Sequence, residues 1–239
     1  MQQEIYKYSH GDLPCEGLIV RKPNLILPAP VVVICHHWNG RDALMDSHAE
    51  RIAQLGYISL AADIYGQHQT STDRERCAAL MNPFVEDRVL LRERLRATIA
   101  AAQRIPGADG KRIVVIGFCF GGLCALDAAR ACLPGVIGVA SFHGLLNPPN
   151  IGKQISITAK VLVLHGYEDP MANPDSLTAF KNEMTAANAH WEVDAYGNTV
   201  HAFTNPNAQD RAAGMAFDVT ICNRAFSRLE SFLSECFAK

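Results

Sequence analysis

Cys119 is the residue whose surroundings point most clearly to chemistry, because it stands in G-F-C-F-G at residues 117–121. A β-branched run precedes the motif and small and apolar residues follow it, which predicts a strand, a sharp turn and a helix. Glycines two positions on either side let the strand and the helix approach closely, and the helix dipole favours a thiolate. The pattern therefore predicts that Cys119 is a nucleophile, with the backbone N–H of Phe120 facing a developing oxyanion.

A carboxylate and a histidine follow Cys119 in the order that an assisted nucleophile requires. Asp169 ends H-G-Y-E-D directly after a second apolar run, and His201 lies in Y-G-N-T-V-H-A-F after a third. Glu168 is an adjacent alternative, but we favour Asp169. Each of the three residues comes at the carboxyl end of a predicted strand, where open α/β sheets bind their ligands. We therefore expect His201 to act as the base for Cys119 and Asp169 to orient the imidazole.

The elements that position these residues alternate between strand and helix. Continuous apolar runs predict strands covered on both faces, after an opening hairpin. The predicted strands are residues 4–8, 16–21, 31–35, 58–62, 113–116, 136–142, 161–165 and 191–196. The predicted helices are residues 43–55, 87–104, 121–133, 174–187 and 211–237. Residues 67–83 are the least regular stretch, and we expect a loop or cap beside the site. The alternation predicts an α/β protein with a doubly wound, mostly parallel sheet of about seven to eight strands flanked by helices, in a single domain over residues 1–239.

Composition excludes several classes of protein. The 239 residues are 49% hydrophobic and 19% charged, with a formal net charge of −2, so no basic surface for nucleic acid or an anionic membrane is expected. The N-terminus shows no pattern of a signal peptide, and no apolar run is long enough to span a bilayer. Eight cysteines without a C-x-x-C motif predict reduced, mostly buried thiols in a cytoplasmic protein. No spacing typical of metal ligands is present, and we expect neither a metal nor a cofactor.

These motifs together resemble the dienelactone hydrolase family of α/β-hydrolases. The resemblance covers nearly the whole chain, and the Cys nucleophile distinguishes it from the many α/β-hydrolases that carry Ser. It rests on V-V-V-I-C-H-H-W-N-G at 31–40, L-G-Y-I-S-L-A-A-D-I-Y-G at 55–66, G-F-C-F-G-G at 117–122, H-G-Y-E-D at 165–169 and Y-G-N-T-V-H-A-F at 196–203.

The resemblance implies an α/β-hydrolase fold and hydrolysis of small-molecule esters or lactones through a thioacyl-enzyme, without a metal. It assigns the triad to Cys119, His201 and Asp169, and the oxyanion donors to the backbone N–H groups of Phe120 and Trp38. It implies no nucleic-acid or membrane partner and is compatible with a monomer or a homodimer.

Two positions depart from the family pattern. His37 stands where dienelactone hydrolases carry a Glu that pairs with the resting thiol, and residues 201–205 contain no Arg for a substrate carboxylate. The sequence therefore predicts a substrate other than dienelactone. We expect substrate contacts from His37, Tyr65, Phe84 and Phe203, within a rim of Trp38, Tyr65, Phe84, Phe118, Phe120, His143 and Phe203.

Two alternative functions stay open at this point. The donors that would hold a tetrahedral oxyanion could also hold a phosphoryl oxygen, so the same triad could hydrolyse activated phosphotriesters. The fold could instead serve as a non-catalytic binding module, although the three triad positions are all filled. Redox sensing by Cys119 is disfavoured, because Cys124, five residues on, would lie on a different face of the helix.

Overall fold

The computed structural model describes residues 1–238, which form ten strands and six helices. The strands are β1 (Gln2–His10), β2 (Leu13–Arg21), β3 (Ala29–Cys35), β4 (Ile58–Ala61), β5 (Ala108–Phe118), β6 (Val136–Phe142), β7 (Lys160–Gly166), β8 (Trp191–Tyr196), β9 (Gln209–Asp210) and β10 (Met215–Ala216). The helices are α1 (Ala43–Gln54), α2 (Arg74–Glu86), α3 (Arg88–Gln103), α4 (Phe120–Arg130), α5 (Pro174–Ala186) and α6 (Val219–Phe237).

Eight strands form one sheet in the order β1-β2-β4-β3-β5-β6-β7-β8. The β1–β2 hairpin is antiparallel, and β2 joins β4 antiparallel, whereas every pair from β4 to β8 is parallel. The predicted fold class is confirmed: a mostly parallel eight-stranded sheet flanked by helices.

The central strands are buried on both faces, as their unbroken apolar runs predict. Side chains alternate along β3, so Val31 and Val33 belong to a core formed with α3, α4 and α5, whereas Val32 and Ile34 belong to a core formed with α1 and α6. This two-sided burial fixes the carboxyl ends of β3, β5, β7 and β8 along one edge of the sheet, where the candidate residues lie.

Two predicted segments differ in detail from the structure. Residues 67–83 contain the start of α2, which Asp73 caps by accepting a hydrogen bond from the Arg76 N–H at 2.8 Å. Pro83 lies inside that helix. Helix α6 begins at Val219 rather than at residue 211, because Asp218 caps it there, and residues 209–216 form the β9–β10 hairpin. No helix within residues 1–238 has both the length and the apolar character needed to cross a bilayer.

The glycines around Cys119 are required by close packing of backbone against backbone. A Cβ atom on Gly117 would overlap the Gly121 carbonyl, and a Cβ atom on Gly121 would overlap the Cys35 carbonyl at the end of β3. Strand β5, helix α4 and strand β3 can therefore meet at this turn only without those side chains.

We expect Gly121→Ala to lower the free energy of unfolding by about 3 kcal/mol, the upper range for overpacking, because the atom it meets is main chain. Gly197→Ala is the matched control, since nothing lies within 4 Å of its added Cβ. Urea denaturation of both variants measures the difference, and equal stabilities would contradict this account of the turn.

Candidate active site

Cys119 occupies the turn between β5 and α4 in a strained backbone conformation. Its φ of +55° and ψ of −116° are rare for a residue with a side chain. Its backbone N–H donates to the Phe142 carbonyl at 3.0 Å, which ties the turn to the end of β6. Cys119 lines a cavity and is partly exposed, so the strained turn presents the sulfur to that cavity.

Asp169 and His201 are joined by a hydrogen bond of 2.7 Å between Asp169 Oδ2 and His201 Nδ1. Both residues are buried, with 1% and 2% of their surfaces exposed. The second Asp169 oxygen accepts from the Met171 N–H at 2.8 Å. Glu168 instead accepts from the Thr199 N–H at 2.8 Å and fixes the loop that leads to His201. The structure therefore brings Asp169, rather than Glu168, to the imidazole.

The β9–β10 hairpin holds the backbone of His201 on both sides. The His201 N–H donates to the Gly214 carbonyl at 3.0 Å, and the Ala216 N–H donates to the His201 carbonyl at 3.1 Å. The apolar pattern predicts a helix from residue 211 and therefore does not indicate this support for His201. The D-x-x-x-G spacing between Asp210 and Gly214 is the turn signal that could have indicated a hairpin.

Cys119 and His201 each stabilise the charged form of the other. Burial raises the pKa of the Cys119 thiol, but the nearby charges of His201 and His37 and the Phe120 N–H outweigh burial, so the net pKa lies below its usual value. Burial lowers the pKa of His201, but the charge of Cys119 and the Asp169 hydrogen bond raise the net value to about 10. His201 Nε2 lacks a well-aligned hydrogen bond within residues 1–238, and such contacts often tighten when substrate binds.

Two residues that line the cavity with Cys119 carry backbone N–H groups predicted to bind the oxyanion, Phe120 and Trp38. The Phe120 N–H is the first of α4, where an amide has no acceptor within its own helix, and it helps lower the pKa of Cys119. Trp38 lies in the loop after β3, and its carbonyl accepts from the Tyr65 hydroxyl at 2.8 Å. Within residues 1–238 the Trp38 N–H donates to no carbonyl or side chain, so both predicted donors are free to bind a ligand.

His37 also lines the cavity but is hydrogen-bonded to its own loop. Its Nδ1 lies 2.7 Å from Asn39 Oδ1, and its Nε2 lies 3.0 Å from Asp42 Oδ2. Burial lowers the pKa of His37, but the Asp42 hydrogen bond and charge raise it to a net value above normal. The sequence did not identify Asn39 or Asp42 as its partners, although Asp42 is a recognisable N-cap for α1.

The cavity beside Cys119 has a volume of about 370 Å³ and a mostly apolar wall. Four methionines from separate elements shape it, with a polar patch from the segment after His201. The methionines are Met45, Met81, Met171 and Met215; the polar patch includes Thr204, Asn205, Asn207, Gln209 and Asp210; Arg74 also reaches the lining. The sequence does not indicate these residues as part of the site, because they come from segments that are far apart in the chain.

The predicted rim needs correction. Trp38, Phe118, Phe120 and His143 line the cavity, but Tyr65, Phe84 and Phe203 lie outside its lining and are buried. The Tyr65 ring stacks on Phe84 and Phe120, with centroids 6.0 and 5.7 Å apart. The Phe203 ring packs edge-on against His143 at 5.0 Å. These three rings fill the core behind the site rather than face a ligand.

The cysteines are all free thiols, and five of the eight are buried. Cys124 is buried, whereas Cys132 is half-exposed because helix α4 ends before it. Within residues 1–238, no group of three or more His, Cys, Asp or Glu side chains is arranged to hold a metal ion.

Comparisons with known proteins agree on one family. The model of the dienelactone hydrolase family matches residues 15–237. An uncharacterised protein of Caenorhabditis elegans is 34% identical over 62% of this chain and 95% of its own. A Yersinia pestis protein with the provisional name carboxymethylenebutenolidase is 28% identical over 74% of this chain and 69% of its own. The crystal structure of a dienelactone hydrolase-like promiscuous phosphotriesterase from metagenomic libraries covers 99% of both chains, with 32% identity and a TM-score of 0.94.

Proposed function

The chain belongs to the dienelactone hydrolase family, and from this premise we propose that it hydrolyses carboxylic esters or lactones through a triad of Cys119, His201 and Asp169. The observation that carries the proposal is the buried Asp169–His201 hydrogen bond beside Cys119, which lies at a strained turn open to a cavity. These features support acyl transfer, which needs a nucleophile, a base and a carboxylate that orients the base.

In the first half-reaction the Cys119 thiolate attacks the carbonyl carbon, with the thiol proton held on His201. The Phe120 and Trp38 N–H groups stabilise the oxyanion, and each such donor typically lowers the barrier by about 3 kcal/mol. When the C–O bond breaks, His201 gives its proton to the leaving alcohol or enol. The acyl group then remains on the sulfur as a thioester.

In the second half-reaction His201, now neutral, takes a proton from water as the water attacks the thioester. The Cys119 sulfur leaves as a thiolate, and the product is a carboxylic acid. Asp169 holds the His201 tautomer and stabilises the imidazolium in both halves without taking the proton. Because a thiolate leaves more readily than an alkoxide or an amide nitrogen, the site favours esters and lactones with good leaving groups over amides.

The cavity wall favours apolar substrates whose shapes can differ. Methionine side chains are flexible and polarisable, so a wall with four of them adapts to aryl and alkyl groups of different shape. We expect aryl esters and hydrophobic lactones to be better substrates than dienelactone, acted on in the cytoplasm by a monomer or homodimer without a cofactor.

A substrate panel tests this function. We expect p-nitrophenyl esters to give a burst of p-nitrophenol followed by steady turnover, and lactones to be opened to hydroxy acids. A binding module would show neither a burst nor turnover, and that result across the panel would refute the proposal.

We also propose hydrolysis of activated phosphotriesters as a second activity of the same triad. It is favoured by the likeness to the promiscuous phosphotriesterase, whose structure matches this chain over 99% of its length. In this reaction the thiolate attacks phosphorus, the oxyanion donors hold the phosphoryl oxygen, and the aryloxide leaves with the His201 proton. Water then cleaves the S–P bond.

We expect turnover of an aryl phosphotriester to persist in excess chelator and to be lost in Cys119→Ala. Turnover that survives in Cys119→Ala, or that stops in chelator while ester hydrolysis continues, would contradict this second activity.

A further inference from the structure

His37 lines the same cavity as Cys119 and His201 but belongs to a different part of the chain. It follows β3, it is 7% exposed, and it lines the cavity with Cys119. The charge of each residue acts on the other. The inference drawn from this arrangement rests on the proposed function, because it concerns how that function's nucleophile is held.

Asn39 determines the protonation of one ring nitrogen of His37, Nδ1. Its Nδ2 donates to the Ser71 carbonyl at 2.8 Å and approaches the Cys77 sulfur at 3.6 Å. A carbonyl can only accept, so the amide cannot flip without losing this bond. Asn39 Oδ1 therefore points to His37 Nδ1, at 2.7 Å, and Nδ1 must carry a hydrogen.

Asp42 determines the protonation of the other ring nitrogen of His37, Nε2. Its Oδ1 accepts from the Leu44 and Met45 N–H groups at 3.1 and 3.2 Å, as an ionised N-cap does. Its Oδ2 lies 3.0 Å from His37 Nε2. A carboxylate in this state only accepts, so Nε2 also carries a hydrogen. With a hydrogen on each nitrogen, His37 is an imidazolium.

We propose that His37, held in the charged state by Asn39 and Asp42, is a positioning residue that keeps the Cys119 sulfur as a thiolate in addition to His201. Both of its N–H groups are occupied, so His37 donates no hydrogen bond to substrate and acts through its charge. The thiol proton resides on His201, and the His37 charge adds a second cation near the sulfur.

The other histidines around the cavity do not supply this charge. Burial lowers the pKa of His143 well below normal and that of His48 to about 4, so both are neutral. Arg74 and Asp210, which carry opposite charges, also line the cavity. Burial also keeps the Tyr65 hydroxyl protonated by raising its pKa. The titratable and charged groups that line the cavity or act on these residues include Tyr65, His37, Asp42, His48, Arg74, His143, Asp169, His201 and Asp210.

The rate of Cys119 alkylation by iodoacetamide as a function of pH tests the proposal, because it reports the thiolate without ester turnover. We expect His37→Gln to raise the midpoint by about one pH unit, a tenfold loss of thiolate below the midpoint, as for removal of a nearby opposite charge. Asp42→Asn should shift it in the same direction while it keeps an N-cap for α1. His190→Gln, an exposed histidine, is the matched control and should leave it unchanged.

Peptide mapping restricts the measurement to Cys119, and Cys119→Ala gives the background from the other thiols. An unchanged midpoint in folded His37→Gln overturns the proposal, even if hydrolysis falls equally at every pH, which is what a structural role would produce. If His37→Gln does not fold, an unchanged midpoint in Asp42→Asn overturns it. Failure of the proposed function would give a different result. In that case the wild-type protein would hydrolyse no ester, although its Cys119 would still be alkylated with a midpoint below that of a free thiol.

Discussion

Cys119→Ala should reduce kcat/KM for an aryl ester by roughly 10⁴- to 10⁶-fold, the range seen when the nucleophile of a triad enzyme is removed. The loss is large because the oxyanion donors and the His201 base then act without a group that can form the covalent bond. The protein should remain folded, since the Cys119 side chain is only partly buried, lines the cavity and loses a single sulfur atom in this change. Steady-state kinetics with p-nitrophenyl butyrate, corrected for uncatalysed hydrolysis, measures the effect.

Cys236→Ala is the matched control, because this thiol is also half-buried but lies on α6, away from the cavity. We expect its kcat/KM to stay within about twofold of wild type, as for substitutions away from the site. Equal activity of Cys119→Ala and Cys236→Ala would show that Cys119 is not the nucleophile.

Asp169→Asn should reduce kcat by roughly 10⁴-fold, as in other triads, because an amide in place of the carboxylate favours the wrong His201 tautomer. It should also change the pH profile. The carboxylate is one of the groups that raise the pKa of His201 to about 10, so wild-type activity is present below that value and falls as pH rises through it. Without the carboxylate charge, this alkaline decline should move to lower pH.

Glu168→Gln is the adjacent control. Glu168 accepts from the Thr199 N–H, and a glutamine oxygen can still accept there, so we expect near-normal kcat and an alkaline limb at the wild-type position. Profiles of kcat/KM between pH 5 and pH 10.5 separate the two variants. A Glu168→Gln enzyme as damaged as Asp169→Asn would contradict the assignment of Asp169.

The sequence predicts the sheet and the position of the candidate site because both depend on local signals. Unbroken apolar runs such as residues 136–142 identify buried parallel strands, and β6 has these bounds in the structure. G-F-C-F-G requires a tight strand-to-helix turn at Cys119, and the order Asp169, then His201, follows from the strands that precede them. Such signals need no knowledge of distant packing.

The remaining features depend on contacts between segments far apart in the chain. The methionine wall gathers Met45 and Met215 from opposite ends of the sequence, and no local pattern indicates that they meet. The prediction that Tyr65 and Phe203 contact the substrate was wrong, because aromatic residues near a site fill the core as readily as they line a pocket. The protonation of His37 depends on the amide orientation of Asn39, which Ser71 determines.

The central claim is that an acyl group is carried on the Cys119 sulfur, and trapping that species tests it most directly. Wild-type protein is mixed with excess p-nitrophenyl acetate, quenched in acid during the burst and measured by intact mass and peptide mapping. We predict a gain of one acetyl group on the peptide that contains Cys119, with none in Cys119→Ala. Acetylation at another residue that decays at the turnover rate, or full turnover without an adduct on Cys119, would contradict the mechanism.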